Sequence, residues 1–133
     1  MRTENIPENY YPLVLVAEDD DSNFKLIKAI IGKKCEIAWA RTGEEIVRLF
    51  NENRDRAEAI LMDIKMPVMT GLDATIAIRQ ADKDIPIIMQ TAYAFTSDRE
   101  RALECGATDV LVKPITLTAL RQCLSKYLPG LVW

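Results

Sequence analysis

Five residues whose side chains suit work on a charged, oxygen-rich ligand each stand at the end of an apolar run. Glu18 and Asp19 follow "LVLVA", Asp63 follows "AILM", Thr91 follows "IIMQ" and Lys113 follows "DVLV". An acid placed after Ala59, Ile60, Leu61 and Met62 is costly to desolvate unless something compensates it. Alone, such an aspartate is more often a turn or cap residue than a nucleophile, Thr91 is an ordinary β-former, and Lys113 is an ordinary surface lysine. Together they read differently: three carboxylates, a hydroxyl and an ammonium are expected to converge. Clustered carboxylates repel one another and are stable in ionised form only with a cation between them. Oxygen ligands and water suit Mg²⁺ rather than zinc.

The elements that must position these residues follow from periodicity. "LVLVAE", "CEIAW", "EAILMD", "IPIIMQT" and "DVLVK" read as strands, and the segments between them carry apolar residues at helical spacing, such as Leu26, Ile27, Ile30 and Ile31. Five βα repeats result. Crossovers of this length require a parallel sheet with helices on both faces, in which ligands bind outside the carboxyl ends of the strands. Ser22 is a candidate N-cap for the first helix, with Asp20 and Asp21 solvated beside it.

Composition narrows the function. At 133 residues, 49% hydrophobic and 28% charged, the chain fits one domain with a real core. A net charge of −3 with scattered Lys and Arg argues against a nucleic-acid surface. Cys35, Cys105 and Cys123 are distant and odd in number and are expected as reduced thiols of a cytosolic protein. Without histidine, zinc sites built on His and every Ser-His-Asp or Cys-His scheme are excluded. No run approaches the roughly 18 apolar residues of a membrane span, and "MRTENIPENYYP" lacks a signal-peptide core. Met62, Met66, Met69 and Met89 are expected as packing, and "RDR" and "RER" as solvated faces.

"LVLVAEDD", "ILMDIKMPVMTGLDA", "IIMQTAYA" and "GATDVLVKPI" closely resemble the signature blocks of response-regulator receiver domains, above all those of hybrid sensor histidine kinases. The resemblance spans nearly the whole chain. It implies a flavodoxin-like doubly wound sheet of order 2-1-3-4-5, with residues 1–12 a linker or leader, 13–128 the receiver domain and 129–133 a C-terminal tail. It also implies roles. Asp63 would accept a phosphoryl group from a phosphohistidine on a histidine kinase or a histidine phosphotransfer protein. Asp19, Asp63 and the Lys65 backbone carbonyl would ligate Mg²⁺, with Glu18 acting mostly through a bound water. Thr91 and Lys113 would contact phosphoryl oxygens, and Lys65 and Tyr93 would tune how readily water reaches them. Lys113-Pro114 is expected to be cis, directing the ammonium toward Asp63.

One position departs from the family pattern. Many receivers carry Tyr or Phe three residues before the lysine, where this chain has Val110, so the aromatic rotamer switch is not expected and output movements should be modest. Two other functions compete. A pseudo-receiver without phosphorylation is disfavoured by the intact acids, Thr91 and Lys113, and a flavin or nucleotide carrier by "AEDDDSN", which would repel a phosphate. The expected protein is cytoplasmic, a monomer or weak dimer, not inserted in a membrane and not bound to nucleic acid. It is expected as a receiver excised from a hybrid kinase, with a free-standing receiver as the alternative.

Overall fold

The computed structural model describes residues 9–92 and 96–133. Ten elements alternate along the chain: β1 (Leu13–Ala17), α1 (Asp21–Ile31), β2 (Glu36–Ala40), α2 (Gly43–Glu52), β3 (Ala57–Asp63), α3 (Gly71–Ala81), β4 (Ile87–Thr91), α4 (Thr96–Glu104), β5 (Asp109–Val112) and α5 (Leu117–Tyr127). All neighbouring strands are parallel, in the order β2-β1-β3-β4-β5. The reversal of order falls between β1 and β3. That is where a doubly wound sheet opens a crevice at its strand ends.

The central strands read as continuous apolar runs because helices cover both of their faces. Every residue of β1 is buried, and the period of two divides its side chains between two cores. Leu13, Leu15 and Ala17 join Ile46, Phe50, Ile60, Met62 and Ile78 under α2 and α3. Val14 and Val16 join Ile27, Ile31, Ile88, Leu120 and Leu124 under α1 and α5. Each such aliphatic or aromatic side chain, once buried, contributes roughly 1.5–3 kcal/mol, so the two cores hold the strand ends in fixed register. Chain outside these elements joins the second core: Leu131 is buried there, with Tyr10 and Trp133 packed against it. Met62, Met66 and Met89 are buried, Met69 packs against the first core, and the three cysteines are free thiols.

Helix starts follow the expected chemistry, with one correction. Thr42, Thr70 and Thr116 cap α2, α3 and α5, their hydroxyls accepting from the amides of Glu45, Asp73 and Ala119. The cap of α1 is Asp20, not Ser22: its Oδ1 accepts the Ser22 amide at 2.8 Å. An aspartate caps as well as a serine and adds charge that suits a helix N-terminus, so the helix begins at Asp21, the last residue of the acidic run. Likewise β4 starts at Ile87 rather than Ile85, because Pro86 has no amide to give the ladder; its carbonyl accepts from Ile60 at 2.9 Å instead.

The loop from β3 to α3 returns tightly under the end of β3. Met69 donates to the Pro67 carbonyl at 2.8 Å across Val68, whose φ of 69° is the rare γ-turn conformation. Gly71 then donates to the Ile64 carbonyl at 2.9 Å and lies so close to β3 that an added Cβ would sit 2.1 Å from the Asp63 carbonyl oxygen. Both groups are backbone, so neither side can yield cheaply. Gly71→Ala is therefore expected to destabilise the fold by about 1–3 kcal/mol, as overpacked sites do. Urea unfolding measures this. An unchanged midpoint would show that α3 is free to shift away from Asp63.

Candidate functional site

Each of the five candidate residues stands at the carboxyl end of its strand, and the parallel register carries them to one edge of the sheet. Asp63 pairs with Gln90 across β3 and β4, and Thr91 pairs with Val112 across β4 and β5. Lys113, just beyond β5, donates its amide to the Thr91 carbonyl at 2.7 Å. Its peptide bond to Pro114 is cis. The Lys113 ammonium stands 3.1 Å from Asp63 Oδ2 and 3.5 Å from Glu18 Oε1. Asp63 and Thr91 are buried at 5% and 4% exposure, and Glu18 is fully enclosed.

Glu18, Asp19 and Asp63 bring carboxylate oxygens within 4.8 Å of one another. The donor set is all oxygen and gathered on one side of the cleft, which is the chemistry a small hard cation such as Mg²⁺ takes. Asp19 is exposed and can present its oxygens to solvent. The Lys65 amide donates to Asp63 Oδ1 at 3.4 Å, and Lys65 lines the cleft with Asp63, Thr91 and Lys113. Tyr93, expected beside the site, lies outside the described residues.

Charge makes the cluster uneasy. Burial, and then the nearby charge of Asp63, push the Glu18 carboxyl above its ordinary value, against partial relief from Asn23 and Lys113. Burial pulls the Lys113 ammonium down, but Asp63 and Glu18 outweigh it and hold it above its ordinary value. One ammonium thus serves two buried carboxylates, with a third, Asp19, close to both.

Several residues that support the site escaped sequence reasoning. Asn23, one turn into α1, donates its side-chain amide to Glu18 Oε1 and to Gln90 Oε1, linking α1 to the end of β4. Trp39 donates its indole N–H to the Glu18 carbonyl at 2.8 Å. Its ring stacks on Phe24 at 3.8 Å, and Arg41 lies over it at 4.2 Å while pairing with Asp21. Asp98 of α4 accepts the Thr91 hydroxyl at 3.0 Å. Trp39, Arg41 and Asp98 sit far from the acids in sequence. Only Asn23 had a local signal, its position just past the acidic run.

The match to a model of the response regulator receiver domain over residues 14–125 decides the family. The chain belongs to the response regulator receiver domains. Hybrid signal transduction histidine kinase I of Dictyostelium discoideum is 39% identical over 120 residues, covering 84% of this chain and 7% of that protein. The chain spans less than half the length of the first curated relatives it matches. Among solved structures, the receiver domain of sensor histidine kinase PA1611 from Pseudomonas aeruginosa PAO1, with a magnesium ion in its active-site cleft, aligns with TM-score 0.79 and 33% identity over 88% of this receiver and 97% of that chain. The Ssk1 receiver of Saccharomyces cerevisiae, crystallised with the histidine phosphotransfer protein Ypd1, aligns with TM-score 0.83 and 27% identity over 92% and 93% of the two chains. Among the described residues of this receiver, no helix is long and apolar enough to cross a membrane.

The raised Glu18 carboxyl makes a prediction with a definite sign. The folded chain binds that proton more tightly than the unfolded chain, so ionisation of Glu18 costs stability at pH above its raised value. The cost shrinks as pH falls and vanishes below the ordinary value of 4.5. Glu18→Gln is therefore expected to raise the melting temperature of the metal-free protein at pH 7 and to give no gain at pH 4. A lower melting point at pH 7 would mean that the ion pair with Lys113 outweighs the repulsion.

Proposed function

We propose that this receiver is the phosphoacceptor of a two-component phosphorelay, taking a phosphoryl group from a phosphohistidine onto Asp63. The observation that carries the reading is the Lys113 ammonium 3.1 Å from a buried Asp63 carboxylate that also faces Glu18 and Asp19. The donor would be a histidine kinase or a histidine phosphotransfer protein. Residues 13–128 would form the receiver unit, cytoplasmic and carried by a hybrid kinase.

The reaction needs little from the protein beyond placement and charge. An Asp63 carboxylate oxygen attacks phosphorus while the bond from phosphorus to the donor imidazole nitrogen breaks, and the electron pair returns to the imidazole, which takes up a proton. The phosphoryl oxygens bring negative charge into a cleft already rich in carboxylates. Lys113 would turn its ammonium from the free carboxylate to one of these oxygens, and the Thr91 hydroxyl would donate to another. Asp19, Asp63 and the Lys65 carbonyl would hold Mg²⁺, with Glu18 contributing through water. Bound there, the ion supplies the positive charge that Lys113 alone cannot. No general base is required, because a carboxylate oxygen attacks without giving up a proton. The chain would thus promote its own phosphorylation and dephosphorylation without turning over a separate substrate, and Lys65 would help set the lifetime of the acyl phosphate.

With Mg²⁺ and acetyl phosphate, intact-mass measurement is expected to show one phosphoryl group per chain, absent from Asp63→Asn because an amide lacks charge and nucleophilicity. Stoichiometric labelling of that variant would place the acceptor elsewhere. Asp19→Asn is expected to weaken Mg²⁺ binding and slow labelling while leaving the metal-free melting point equal or higher, since one repelling charge is gone. A clearly lower metal-free melting point would make Asp19 a structural residue.

A further inference from the structure

We propose that Asp98 is a positioning residue for phosphoryl transfer: it holds the Thr91 hydroxyl until the phosphoryl group takes that hydroxyl from it. The inference rests on the reading of Asp63 as phosphoacceptor. Thr91 Oγ1 donates to Asp98 Oδ2 at 3.0 Å, and Asp98 lines the same cleft as Asp63 and Lys113. A threonine hydroxyl carries a single proton. It can serve the Asp98 carboxylate or a phosphoryl oxygen, but not both. A phosphoryl group on Asp63 also places new negative charge in the cleft that Asp98 lines, and like charges in one site disfavour each other. Competition and repulsion act in the same direction, so phosphorylation breaks the contact.

The contact matters because the described part of α4 buries little. Of the α4 side chains described, only Ala102 is buried, whereas α1 buries Ile27, Ile30 and Ile31. The hydrogen bond from β4 is therefore one of the few described side-chain contacts between α4 and the sheet. The carboxylate also has a partner on its own helix: Arg101 Nη1 already pairs with Asp98 Oδ1 at 3.9 Å, from a side chain 64% exposed, and that pair does not tie α4 to the sheet. Replacement of Thr91 by water, with the Arg101 pair kept, would loosen the first turns of α4. Val110, buried at the centre of β5 opposite Met89, has no ring to swing inward and pass the change on. The response stays within α4.

Amide exchange on the full chain tests this, in wild type, Asp98→Ala and Asp98→Asn, with and without Mg²⁺ and beryllofluoride, alongside the rate of labelling by acetyl phosphate. In wild type, beryllofluoride is expected to speed exchange at Glu100 to Glu104 several-fold and to leave Asp109 to Val112 unchanged. Asp98→Ala should exchange fast at Glu100 to Glu104 without beryllofluoride, respond no further to it, and label several-fold faster. Asp98→Asn keeps an acceptor oxygen without the charge, so it should keep the slow exchange of wild type while sharing the faster labelling. Wild-type protection of Glu100 to Glu104 in unliganded Asp98→Ala would overturn the proposal, as would a wild-type α4 indifferent to beryllofluoride in protein that labels normally. Failure of wild type to gain any phosphoryl mass would instead remove the phosphoacceptor reading, and this inference with it.

Discussion

Three carboxylates held within 4.8 Å of one another, with one ammonium beside them, set the terms for everything around the site. Such a cluster cannot be left to flexible loops, because the acids would move apart and the charge would disperse into water. Here Asp63 closes a strand with five buried residues at its end, Glu18 is fully enclosed, and Lys113 is tied by its amide to the end of β4. The two cores and their helix caps supply the rigidity. The repulsion they contain would favour a cation between the acids and a second cationic contact beside them.

The supports of Glu18 show how the strain is contained. Its side chain takes hydrogen bonds from Asn23 and from the Asp20 amide, and its main chain is bound on both sides, by the Ala40 carbonyl and the Trp39 indole. Trp39 is itself clamped between Phe24 and Arg41. The end of β2 thus braces the acidic loop although it contributes no candidate ligand. Gly71 plays a comparable part below Asp63, where only the absence of a Cβ lets α3 start against the strand. Site geometry and backbone packing are one construction in this receiver.

Much of this was legible in the sequence, for identifiable reasons. Strand β1 is wholly apolar, β3 carries the unbroken apolar stretch Ala59 to Met62, and an acid follows each stretch, so their type and carboxyl ends follow from pattern, and parallel connection then brings Glu18, Asp63, Thr91 and Lys113 to one edge. The order of the strands came from the family resemblance, since periodicity carries no information about neighbours. The N-cap of α1 was misplaced because several adjacent residues, Asp20 to Ser22, can all cap. The partners Trp39, Gln90 and Asp98 were invisible because each reaches the site through a tertiary contact made by a residue type that is ordinary in its own segment.

The most direct test of the charge account is the melting temperature of the wild-type protein as Mg²⁺ is added at neutral pH. A cation that binds between Glu18, Asp19 and Asp63 only when they are folded together must stabilise the fold by mass action, rising with the logarithm of its concentration above the dissociation constant. The account predicts a saturable onset followed by that logarithmic rise, with little response in Asp63→Asn. A melting temperature that ignores Mg²⁺ through the millimolar range, or rises equally in Asp63→Asn, would contradict it.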